Sequence, residues 1–149
     1  MKFLHVGMKV HDIERSKELY GRLFGMSWEP VSEYALPDAV LEGAVAPSRT
    51  LVSHGWTADG TEIEMVQVVQ GRTADHLVLG ESEGLSHLAF SVEDLDSAVA
   101  VAEAAGLRRV SEWSSPAVDY VFVSGAALGG PLVQLVQFKA PRSVHRPED

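Results

Sequence analysis

Over the first ten residues Leu4, Val6, Met8 and Val10 alternate with His5, Gly7 and Lys9, the period of a β-strand. The same alternation returns 82 positions later, where Leu88, Phe90 and Val92 alternate with His87, Ala89 and Ser91. Each His lies on the face opposite the aliphatic residues. The two segments continue alike: Val10, Asp12 and Ile13 follow His5 as Val92, Asp94 and Leu95 follow His87. Asp12 and Asp94 are N-caps by composition, because a short carboxylate accepts from the free N–H groups of a first helical turn. The helices they open have an apolar side of Ile13, Leu19, Leu23 and Phe24 in one case and Leu95, Val99, Ala102 and Ala105 in the other, and Gly25 and Gly106 fit the left-handed residue that ends a helix.

Three strand-like segments follow each helix. They are 26–33, 40–56 (long or broken) and 61–69 after the first, and 108–113, 117–123 and 131–138 after the second. The closing strands are related, and aligning Glu62-Ile63-Glu64-Met65-Val66-Gln67 with Leu132-Val133-Gln134-Leu135-Val136-Gln137 sets Glu64 against Gln134. The pattern predicts an α+β chain of two tandem βαβββ modules in a single domain over 1–138. Module one spans about 1–70, a linker about 71–83 and module two about 84–138. A polar tail, 139–149, carries two prolines and is expected to fray.

Composition narrows the chemistry. The chain of 149 residues contains no Cys, which removes disulfides, thiolate metal sites and cysteine nucleophiles together and suits a reducing compartment. A metal would have to sit on His, Asp, Glu or Gln. The start MKFLHVGMKVHD turns polar too soon for a signal peptide, and no apolar run reaches the roughly 18 residues of a membrane span. The net charge of −9 comes without a basic stripe, so nucleic acid is a poor partner. A cytoplasmic protein acting on a small molecule is expected, with neither nucleic acid nor membrane as partner.

Taken in order, the motifs His5-Val6-Gly7-Met8 with Asp12, Tyr20 and Leu23-Phe24-Gly25-Met26, then Ile63-Glu64-Met65-Val66, then Gly84-Leu85-Ser86-His87-Leu88-Ala89-Phe90 with Asp94-Leu95-Asp96, then Val133-Gln134-Leu135-Val136, resemble the vicinal oxygen chelate superfamily, which holds glyoxalase I, methylmalonyl-CoA epimerase, extradiol dioxygenases and bleomycin-resistance proteins. The stretch from Gly84 to Asp96 is closest to the epimerase and glyoxalase-like branches. The resemblance implies a glyoxalase-like cup of mixed sheet with metal ligands projecting inward from the first and last strand of each module. Carried over residue by residue, these are His5, Glu64, His87 and Gln134. The last position is commonly Glu in the family. The resemblance also implies a homodimer.

Two imidazoles and a carboxylate suit a divalent first-row ion (Zn, Co, Ni, Mn or Fe), and such a set leaves positions open for substrate. The favoured expectation is an isomerase, epimerase or lyase acting on a small carbonyl compound or thioester through a metal-stabilised enolate. Glu64 is then a candidate base, Gln134 cannot be one, and Glu42 ranks first among further candidates that include Glu33, Asp119 and His54, because 40–56 should line the cup. His54 can equally face solvent, His11 and His76 are expected exposed, and Trp28, Trp56 and Trp113 are expected in the core, with the wall of a hydrophobic substrate cavity as the alternative. Two other readings remain: an Fe(II)-dependent extradiol-type dioxygenase, against which Gln134 stands where a carboxylate is expected, and an antibiotic-sequestering resistance protein, against which the His pair stands.

Overall fold

The computed structural model describes residues 1–142. The first half runs β1 (Lys2–Lys9), α1 (Ile13–Phe24), β2 (Ser27–Trp28), β3 (Ser32–Leu36), β4 (Val40–Leu41), β5 (Ala44–Val45), β6 (Ser48–Trp56) and β7 (Glu62–Gln70). A short helix, α2 (Asp75–Leu79), leads to the second half: β8 (Gly84–Ser91), α3 (Leu95–Ala104), β9 (Arg109–Ser114), β10 (Val118–Val123) and β11 (Leu132–Phe138).

All the strands belong to one open mixed sheet in the order β2-β6-β7-β1-β8-β11-β10-β9-β4-β5, with β3 also on β6. The repeat is plain in that order. β1 and β8 pair antiparallel at the centre. Each is flanked by the closing strand of its own half in parallel, β7 on β1 and β11 on β8. β6 and β10 follow antiparallel. The two helix starts are built alike in detail. Asp12 accepts from the Arg15 N–H and Asp94 from the Ser97 N–H. The Gln67 side chain accepts from the Ile13 N–H at 3.0 Å, and Gln137 from the Leu95 N–H at 2.8 Å. Each helix is thus tied at its first turn to the closing strand of its own half, which satisfies donors that a helix start leaves free.

The sheet inverts a simple reading of its alternation. On β1 the polar set His5, Gly7 and Lys9 is buried, while Leu4, Val6 and Met8 are only half-buried. The His face is the inside of the curve. On α1 only Ile13 is buried. Leu19, Leu23 and Phe24 are exposed, because the packed stripe runs from Ile13 to Tyr20, where Met65, Val10 and Trp28 meet it, and Leu19 and Leu23 lie about 100° to its side. α3 packs Leu95, Val99 and Ala102 of its predicted side against Val121, Val123 and Leu135, whereas Ala105 caps the helix end and is exposed.

The segments expected over 26–33 and 40–56 are more broken than their composition suggested. Pro30 separates β2 from β3, Pro37 ends β3 and Pro47 precedes β6, each where a strand cannot spare an N–H. The hairpin β4–β5 turns at Glu42 (φ 51°) and Gly43 (φ 78°), two consecutive positive φ values that mark a two-residue hairpin loop. This hairpin leaves its own half and pairs β4 with β9 of the other. The linker 71–83 is partly helical. The tail is packed at its start, where Lys139 N–H donates to Ala117 O and the Arg142 guanidinium binds Glu62; residues 143–149 lie outside the described residues.

Replacing either helix cap, Asp12→Ala or Asp94→Ala, is expected to lower the unfolding free energy by about 1 kcal/mol, read as a shift of the urea midpoint at constant slope.

Candidate metal centre

β1 carries His5, and its neighbour Gly7 pairs with Glu64 on β7 and with His87 on β8. Gly7 has to be glycine. A Cβ there would lie 1.9 Å from the His87 ring, so the imidazole crosses β1 only because that position has no side chain. His87 thereby reaches His5, Nε2 to Nε2 at 3.1 Å. Glu64 Oε1 stands 3.7 Å from His5 Nε2 and 3.5 Å from His87 Nε2. Two donors held about 2.1 Å from one ion are about 3.0 Å apart at an octahedral cis angle and about 3.4 Å apart at a tetrahedral one. The His5–His87 separation falls within that range, and the two to Glu64 lie 0.1 and 0.3 Å beyond it, so the three atoms face one point at nearly the spacing one ion would set. Gln134, on β11, lines the same cavity, and its Oε1 is buried without a hydrogen-bond partner, an acceptor left for something outside the protein. Three of the four residues expected as ligands, His5, Glu64 and His87, are brought together, Gln134 lines the same cavity, and the donor set is one that suits a divalent ion.

The other ring nitrogens face back into the protein. His87 Nδ1 is 3.0 Å from Ser86 Oγ and 3.8 Å from Asp75 Oδ1. Asp75 is itself held by Ser86 and by the Thr73 hydroxyl, which donates to Oδ2 at 2.8 Å. His5 Nδ1 is 3.9 Å from Glu62 Oε1. Each imidazole thus points Nε2 at the shared point; His87 Nδ1 is oriented by the Ser86 hydroxyl, with Asp75 behind it, whereas His5 Nδ1 faces Glu62 without a hydrogen bond. Glu62 also accepts from His54 Nδ1 at 2.9 Å and from both terminal nitrogens of Arg142. His54 Nε2 lies 3.5 Å from Glu64 Oε2.

The charges follow from these contacts. Burial holds His5 neutral and pulls it down to about 4. Burial also opposes the charged form of His87, but the carboxylates of Asp75 and Glu64 on either side of the ring prevail and raise it to about 9. Burial would push Glu64 up, yet His5, His87 and His54 around it hold it well below the usual carboxylate range. Glu62 is likewise pushed up by burial and brought down to about 2 by Arg142 and His54. His54 is penalised by burial and still raised, chiefly by its bond to Glu62.

The structure does not bring Glu42 to this cluster. It sits in the tight β4–β5 turn, exposed and paired with Arg108, because the hairpin reaches over β9 and carries its tip outward. Glu33 and Asp119 are spent in surface ion pairs with Arg49 and Lys139. Of the further base candidates only His54 lines the cavity. His76, expected exposed, is buried and accepts from the Thr73 N–H, whereas His11 is exposed as expected. Trp56 and Trp28 pack in the interior, and Trp113 lines the cavity instead. Glu62, Asp75 and Arg142 escaped the sequence. Glu62 shared a strand face with Glu64, a signal in plain sight; Asp75 opens a five-residue helix too short to show a periodicity, and Arg142 lies in an irregular segment.

Two measurements follow from this geometry. Gly7→Ala, which must displace the His87 ring, and Asp75→Asn, which removes its orienting carboxylate, are each expected to weaken divalent-ion affinity at least tenfold, measured by competition with a chromophoric chelator. In chelator-treated protein, His87 with a folded value of about 9 against an ordinary 6.5 stabilises fully below pH 6.5 and loses that contribution as pH rises through about 9. Its share of the slope approaches about 1.4 kcal/mol per pH unit. Urea denaturation from pH 6.5 to 9 should show this slope in the wild type and its loss in His87→Gln.

A family model described as Glyoxalase/Bleomycin resistance protein/Dioxygenase superfamily matches residues 4–122. No curated protein sequence matches the chain. Among solved structures, a hypothetical protein from Bacillus halodurans is similar at a TM-score of 0.70 and 15% identity, over 96% of this chain and 98% of that one. Methylmalonyl-CoA epimerase from Mycobacterium tuberculosis is similar at 0.61 and 20%, over 94% and 89%. A variant of the Streptomyces coelicolor methylmalonyl-CoA epimerase, in complex with 2-nitronate-propionyl-CoA, is similar at 0.54 and 21%, over 94% and 99%. These likenesses show a shared fold, and with the match over residues 4–122 the chain belongs to the Glyoxalase/Bleomycin resistance protein/Dioxygenase superfamily.

Proposed function

We propose that the protein is a divalent-metal-dependent enzyme that moves a proton at the carbon next to a carbonyl group, in the manner of an isomerase or epimerase. The observation that carries this reading is the convergence of His5 Nε2, His87 Nε2 and Glu64 Oε1 on one point beside the unpartnered Gln134 Oε1. These four residues would hold the ion. When bound, the ion would polarise a substrate carbonyl and acidify the neighbouring C–H. Structural likeness to methylmalonyl-CoA epimerases supports an epimerase-type reaction.

The protein supplies the rest. His54 is placed to move the proton. Its Nδ1 is held by Glu62, so Nε2 is the nitrogen left to take up or return a proton at the cavity wall. Arg142 keeps Glu62 ionised and in place to orient that ring. Glu64 serves best as ligand, its charge required by the two imidazoles against it. A small-molecule substrate and a homodimeric assembly belong to the same reading.

The test is solvent exchange. With metal bound, incubation of a panel of 2-ketones and acyl thioesters in deuterated water is expected to put deuterium on the carbon next to the carbonyl. His54→Gln is expected to slow the exchange at least about 100-fold with metal content retained, Glu64→Gln to lose the metal, and Glu42→Gln to leave turnover unchanged. Full exchange in His54→Gln would remove His54 from the reaction, and no exchange across the panel would defeat the reading.

A further inference from the structure

The cavity beyond the ion-binding residues differs from its metal end. The whole cavity, metal end included, measures about 340 Å³, within the size of small-molecule sites. One wall is a ladder built by pairing of neighbouring strands. Gln134 on β11 stands beside Phe122 on β10, and Val136 stands beside Tyr120, whose other neighbour is Trp113 on β9. Successive rows are about 7 Å apart. The first row touches the metal end, since the Phe122 ring meets the His87 ring edge-on with centroids 5.1 Å apart. The rings continue outward without a break: Phe122 to Tyr120 at 5.5 Å and Tyr120 to Trp113 at 5.9 Å. Leu41 on the neighbouring β4 packs against the same cluster as Tyr120 and Phe122, and Leu36 from the first half adds to the lining. The Trp113 indole is fixed by its N–H, which donates to Asp38 at 3.0 Å. Of the two Arg side chains on the lining, Arg142 is committed to Glu62 and Arg72 is exposed.

A short acyl group bearing its own charge would leave this wall in contact with water. A planar apolar group would cover it, with ring edges and faces arranged as aromatic pairs prefer. We propose that the substrate presents an aromatic ring to the Phe122–Tyr120–Trp113 ladder, one strand row out from oxygens that chelate the ion, so that the natural substrate class is an aryl-substituted carbonyl compound. This rests on the cavity being the substrate site of the proposed function. The Tyr120 hydroxyl, with no hydrogen-bond partner among the described residues, is free to donate to a second oxygen on such a ring.

Two hydroxamates separate the ring from the chelating group. Co(II)-loaded protein is titrated with acetohydroxamate and with benzohydroxamate, followed by the visible spectrum of the ion, each affinity being referred to that of the same compound for free Co(II). Benzohydroxamate is expected to bind at least tenfold tighter. Trp113→Ala, the ladder position farthest from His87, should reduce that ratio toward one while acetohydroxamate affinity and Co(II) content stay unchanged. Equal affinities in the wild type, with both spectra perturbed, would overturn the aromatic assignment and leave the metal reading standing. Failure to take up Co(II) would sink the metal reading instead. The ring proposal is then decided by isothermal titration of the metal-free protein: heat with benzohydroxamate that Trp113→Ala abolishes supports it, and no heat with either compound overturns it.

Discussion

The structure depends on the antiparallel pairing of β1 with β8, and that pairing depends on one missing side chain. The two strands open the two halves of the repeat, and joining them side by side sets two imidazoles on the inner face of one sheet. With any side chain at position 7 the rings could not approach. With glycine there, two imidazoles and a carboxylate occupy one buried place, which is costly unless each group has a partner or an ion draws them together. The surrounding residues share that cost. Asp75 and Glu62 stand behind the rings, and Arg142 and Ser86 stand behind the carboxylates. The cup is the shape a sheet takes when its buried face must hold this cluster at one end and apolar side chains beyond it.

The repeat made much of this legible in advance. An offset of 82 residues between two His-bearing strands, matched caps at Asp12 and Asp94, and the aligned Glu64 and Gln134 were enough to give the fold class, both helices, and four residues of which three meet and the fourth lines the same cavity. What escaped has physical reasons. Three prolines divide the first half into shorter strands than its hydrophobic run suggested, and so Glu42, read as facing the cup, is carried to an exposed hairpin tip. The apolar residues of α1 exceed what the sheet can cover, so composition could not tell the packed Ile13–Tyr20 stripe from the exposed Leu19 and Leu23. Asp75 acts from a linker whose path is set by tertiary contacts alone. Alternation also fails to say which face of a strand is inside when the polar face is the functional one.

The electrostatics of the site are local. A chain with net charge −9 still builds a cluster where three carboxylates and three imidazoles are matched by position, and the one guanidinium among them, Arg142, comes from beyond the last strand. Surface ion pairs such as Arg49–Glu33 and Lys139–Asp119 are exposed and contribute little. The buried network is where charge and geometry are coupled.

The duplicated halves have not stayed equivalent. In the first, Glu64 stands beside His54; in the second, the corresponding neighbours are Gln134 and Phe122. An ionisable pair on one side of the cup answers to a neutral amide and a ring on the other. On the proposed reading, a flat carbon centre held between them meets a proton donor from one direction only. Such a site moves a proton on one face, as an isomerase that shifts a carbonyl does; inversion at that carbon would need a second donor opposite His54, where the second half offers a neutral amide and a ring.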